Sequence, residues 1–133
     1  MDNASLIGWV SLFYGLYCFA AGIGELRLPG LWLRILNNIN ASPALPFLTG
    51  VICILMGLFT LFVIGGETDP IPNKFFIIMA SWIVVEGLLF ICLPDNFGRF
   101  AGWLMRMSSR FWALFAMAAG ALLIGFGLMR LLL

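Results

Sequence analysis

Residues 75–93, FFIIMASWIVVEGLLFICL, decide how the chain must be read. The run is continuously apolar except for Ser81 and Glu86. It is long enough to cross a hydrocarbon core, which takes about 20 residues of helix. Working outward, residues 44–64 and 111–132 are comparable runs, and residues 5–24 make a fourth. The reading is therefore an all-α, polytopic membrane protein with four transmembrane helices. Composition points the same way. With 63% hydrophobic and 10% charged residues in 133, a soluble domain this small lacks the interior to hide its apolar surface. The lipid bilayer is the expected partner for the surplus. No Lys or Arg precedes the first run, so it lacks the basic start of a cleavable signal and is read as a retained span.

The connectors differ in kind. GGETDPIPNK (residues 65–74) is short, acidic and rich in Gly and Pro, as a turn requires. RLPGLWLRILNNINASP (27–43) and PDNFGRFAGWLMRMSSR (94–110) are longer. In the first, Leu28, Leu31, Trp32, Ile35 and Leu36 recur at helical spacing; in the second, Phe100, Trp103, Leu104 and Met107 do. Each pattern predicts a short amphipathic helix in the membrane interface, with arginine reaching the headgroups. Asp95, after Pro94, is expected to cap the second of them, and Glu25 to serve at a helix end or to pair with an arginine. Arg27, Arg34, Arg99, Arg106 and Arg110 are candidates for contact with lipid headgroups or a partner. Only Lys74 and Arg130 lie on the opposite side. The positive-inside rule then puts both connectors in the cytoplasm and both termini outside it.

The halves echo each other. A shift of 72 residues lays Gly8 on Ala80, Gly15 on Gly87, Arg27 on Arg99 and Arg34 on Arg106. A shift of 70 lays Gly50 on Gly120, Ile54 on Ile124 and Gly57 on Gly127. The expectation is one membrane domain over residues 1–133, built as a helical hairpin present twice: residues 4–64, a turn over 65–74, and residues 75–133. Each copy crosses twice, so the copies share an orientation, unlike the inverted repeats of many transporters. Gly8, Gly15, Gly22, Gly50, Gly57, Gly87, Gly120 and Gly127 mark the expected packing seam, because helices in lipid associate by close backbone approach at small residues. Ala121 and Gly125 form a second small pair on the fourth span, suited to a homo-oligomer or a larger membrane-protein complex.

Chemistry has few candidates. Histidine is absent, which removes the commonest general base and neutral metal ligand. The serines Ser5, Ser11, Ser81, Ser108 and Ser109 thus lack the base that a nucleophile needs. No catalytic residue, metal site or cofactor is expected, and a net charge of +1 offers no footprint for nucleic acid. Cys18, Cys53 and Cys92 sit inside apolar runs at no ligand or redox spacing and read as small buried residues. Glu86 stands out, lying seven residues before Leu93 and hence about 10 Å inside the helix end. A carboxylate at such depth costs on the order of 2.5–3.5 kcal/mol, so it should face protein or water. The 72-residue shift matches it to Tyr14, which predicts an intramembrane pair. That pair, or a bond to Ser11, either braces the bundle or carries a proton or cation.

The stretch VEGLLFICLPDNFGRFAGWLMRM (85–107) and the Gly120 span resemble the small two-span YjeT-like proteins of bacterial inner membranes. The features are Glu86-Gly87-Leu88, Pro94 eight residues after the Glu, a basic amphipathic connector and a second Gly-rich span. The first half resembles the same hairpin through Leu45-Pro46 and Gly50, with Tyr14 in place of the Glu and Gly22 in place of the Pro. The resemblance implies a bacterial inner-membrane location and no established activity. Two functions remain on the sequence: a non-enzymatic accessory or scaffold subunit, and a small proton- or cation-coupled transporter using Glu86. In the small multidrug exporters the Glu lies in the first span, whereas here it lies in the third.

Overall fold

The computed structural model describes residues 3–65, 69–107 and 109–133. Among them the chain forms six helices, α1 (Asn3–Arg27), α2 (Leu31–Asn40), α3 (Ala44–Ile64), α4 (Pro70–Cys92), α5 (Pro94–Met107) and α6 (Ser109–Leu132). Four of them, α1, α3, α4 and α6, are long and apolar enough to cross a membrane. The chain is a helical membrane protein with four candidate transmembrane helices. Two boundaries differ from expectation. Helix α4 begins at Pro70, not near residue 75, because a proline fits the first turn, where an N–H has no helical acceptor. Helix α2 begins at Leu31, after a break over residues 28–30 that the apolar spacing alone had bridged.

The helices sort into two compact units. One holds α1, the first turn of α2 and α6; the other holds the rest of α2, α3, α4 and most of α5. Within the first, α1 packs along α6; within the second, α3 packs along α4. The packed pairs are therefore not the consecutive spans of each expected hairpin. A physical reason lies in connector length. Only residues 65–69 separate α3 from α4, which keeps them neighbours, whereas a ten-residue helix such as α2 is about 15 Å long and does not oblige the spans it joins to touch.

Both seams are built on glycine. A Cβ added at Gly15 would stand 2.8 Å from the Gly120 carbonyl oxygen, and one at Gly120 would stand 2.7 Å from that of Gly15. On the other seam, Cβ atoms at Gly50 and Gly87 would each stand 2.6 Å from the carbonyl oxygen of the other. Side chains larger than hydrogen would force these backbones apart. The remaining contacts fix both pairs as antiparallel: Gly22 meets Ala113 and Gly8 meets Gly127, while Gly57 meets Ala80. All eight seam glycines named from the sequence are buried. Their seven-residue recurrence is the repeat that keeps one helix face against a partner over several turns. The opposite faces carry large exposed apolar side chains, such as Phe62, Ile78, Leu122 and Leu132. In water those faces would aggregate; against lipid tails they are in their own solvent.

Candidate functional site

Among the described residues the most enclosed carboxylate is Glu25, at 3% exposure, rather than Glu86. It lies in the last turn of α1, facing the break before α2. One carboxylate oxygen accepts the Gly30 backbone N–H at 2.9 Å, and the other accepts that of Trp32 at 2.8 Å. Gly30 makes this possible with φ +88°, a left-handed conformation that costs glycine nothing. The indole N–H of Trp32 turns back to donate to the Ala21 carbonyl at 3.1 Å. Glu25 thus supplies from α1 the acceptor that a side-chain N-cap normally supplies from within its own turn. Of the two roles expected for it, the helix-end role is the one observed.

Glu86 is half-buried on α4. Its neighbour Gly87 lies on the α3–α4 seam, where an added Cβ would stand 3.0 Å from the Cys53 Cβ. Tyr14 belongs to the other unit, on α1, and is buried at 7% exposure. Ser11, considered as a partner for Glu86, instead donates its hydroxyl to the Leu123 carbonyl on α6 at 2.8 Å, inside the α1–α6 seam. It is fully buried, and this bond satisfies it.

Arg27, Arg34, Arg99, Arg106 and Arg110 are exposed, and Arg130 is half-buried. Arg99 turns along its own helix, 3.8 Å from the Asp95 carboxylate and bonded to the Asn96 side-chain oxygen at 2.5 Å. That overturns the expected capping role of Asp95. Helix α5 already begins at Pro94, which has no N–H to cap, and Asp95 sits inside its first turn. The Phe97 N–H is taken by the Leu93 carbonyl at 2.9 Å. Arg27, Arg34 and Arg110 form no ion pair among the described residues. Arg130, at the far end of α6, lies 5.2 Å from the Phe126 ring centre.

All three cysteines are free thiols, and Cys92 is exposed at the end of α4, contrary to the buried role expected of it. Its apolar neighbours in sequence belong to a lipid-facing stretch, which an apolar run alone does not distinguish from a core. Among the described residues no three His, Cys, Asp or Glu side chains converge where a metal ion could be held. No family model, curated protein or solved structure matches the chain.

Proposed function

We propose that this chain is a non-enzymatic accessory or scaffold subunit that binds itself or other membrane proteins. The observation that carries the reading is the outer face of α6. Ala121 and Gly125 are exposed there, and a Cβ added at Gly125 would meet nothing within 4 Å. Small residues opposed to nothing within their own unit leave room for the backbone of a further helix. Three of the polar side chains on the helices are already engaged within their own unit. Ser11 bonds to Leu123, Thr60 donates to the Met56 carbonyl at 2.9 Å, and both Glu25 oxygens hold backbone N–H groups.

The same proposal takes the chain as a tandem duplication of a YjeT-like hairpin in a bacterial inner membrane. Its amphipathic α2 and α5 then lie at the cytoplasmic interface and both termini lie outside the cytoplasm. Supporting the duplication is a correspondence of contacts. In one unit Gly127 faces the Gly8 carbonyl and the Leu12 N–H; in the other Gly57 faces the Ala80 carbonyl and the Val84 N–H. The 72- and 70-residue offsets turn the first set into the second. On this reading each seam joins the first span of one copy to the second span of the other, so a hairpin is completed only by its sister.

The test is the mass of the full-length protein in mild detergent, by light scattering, for the natural chain and for Gly125→Leu. The expected result is a complex larger than one chain that Gly125→Leu reduces to a monomer while helicity is unchanged. A natural chain that is monomeric at every concentration, with nothing bound, would refute the proposal.

A further inference from the structure

One end of the α1–α6 unit is an arginine cluster whose position is set by the seam. Gly22 meets Ala113 across it. Arg27 lies five residues beyond Gly22 and Arg110 three residues before Ala113, about 7.5 Å and 4.5 Å along antiparallel helices. Both leave the pair at the same end. Arg34 belongs to the same compact unit, and the Glu25 bonds to Gly30 and Trp32 and the indole bond to Ala21 tie its turn of α2 to α1. The acid at this end, Glu25, is buried with both oxygens accepting backbone N–H groups, and among the described residues it forms no ion pair with the exposed arginines. Beside them, Leu26, Leu28 and Phe111 are exposed at 41%, 51% and 58%. A free inorganic anion would match the charge and leave those apolar side chains uncovered. A ligand with a phosphate and acyl chains satisfies both.

We propose that Arg27, Arg34 and Arg110 bind the phosphate of an anionic phospholipid headgroup, with its acyl chains against Leu26, Leu28 and Phe111. The site rests on the membrane-spanning fold alone and is independent of any scaffold role. Cation-to-headgroup attraction near a membrane surface corresponds to about a fivefold gain in binding per arginine. The site is specific to this unit, since Arg99 in the other is already engaged by Asp95 and Asn96.

The experiment is native mass spectrometry of the full-length protein in a neutral detergent, with phosphatidylglycerol or phosphatidylcholine at equal mole fraction. Phosphatidylglycerol is expected to be retained about 100-fold better, about fivefold for each of the three arginines. The double variant R27Q/R110Q should lose about 25-fold in that preference, R27K/R110K should keep most of it, and R130Q should leave it intact. Equal retention of the two lipids would overturn the proposal, as would an equal loss in R130Q. Millimolar inorganic phosphate that displaces the lipid completely would reassign the site to free phosphate and also overturn it. Circular dichroism and light scattering on the same samples separate these outcomes from loss of the fold or of self-association.

Discussion

The break between α1 and α2 and the break between α4 and α5 do the same mechanical work with opposite chemistry. Each ends a span and starts an amphipathic helix whose first N–H groups have no helical acceptor. At the first break three residues intervene, Gly30 turns left-handed, and the Glu25 carboxylate reaches forward to take two N–H groups. At the second only Leu93 intervenes, at φ −134° and ψ 58°. Pro94 brings no N–H, and the 72-residue shift puts Phe97 where Glu25 stood. That phenylalanine is buried and packs edge-to-face on Phe90 with ring centres 4.7 Å apart. One junction satisfies its donors with a charge; the other removes a donor and fills the corner with an aromatic pair. Orphan backbone groups at a helix end can thus be satisfied by a carboxylate or reduced in number by a proline.

The contrast can be broken most severely at Glu25. Glu25→Ala strands two half-buried N–H donors, at up to about 1–3 kcal/mol each. Thermal unfolding in detergent, followed by circular dichroism, should shift downward by an amount matching several kcal/mol. Glu25→Gln, keeping one acceptor oxygen, should recover about half. Phe97→Ala tests the apolar remedy; truncating a buried phenylalanine costs about 3–5 kcal/mol in a closed core. Here the loss should fall to about 2–3 kcal/mol, because lipid or detergent can enter, and Glu25→Ala should exceed it in the same assay. An inverted order would mean that the aromatic corner, not the carboxylate, is the stronger device. Gly30→Ala, which places a Cβ at positive φ, should cost about 1–2 kcal/mol, whereas Gly24→Ala, inside α1, should be near neutral. Smallest of all is Asp95→Ala. The Asp95–Arg99 pair is exposed on both sides, and such pairs contribute about 0–1 kcal/mol, so unfolding should hardly move. A large loss there would restore Asp95 as a cap.

Some of this was readable before any coordinates. Glu86 drew attention as a charge in an apolar run, but run length says nothing about which side of a helix a residue occupies; it proves only half-buried. For Glu25 the sequence leaves two roles open, at a helix end or paired with an arginine. Its reach to residues five and seven positions ahead depends on the φ of Gly30, which no spacing rule reports. Asp95 was misread because an acid near a helix start usually caps it, and the presence of Pro94 at the first position moved the start one residue earlier.

By itself the sequence determined that lipid is the solvent, that four helices are long enough to cross it, and which small-residue face of each must be packed. Those follow from the length of the apolar runs and the seven-residue spacing of Gly8, Gly15 and Gly22 or Gly120 and Gly127, properties that one helix carries alone. Only the tertiary structure decided that α1 pairs with α6 and α3 with α4. Every span offers much the same glycine-lined face, and lipid tails are as apolar as leucine. The choice of partner therefore lies in the fit of two particular surfaces, Gly15 on Gly120 and Gly50 on Gly87, and not in a hydrophobic pattern.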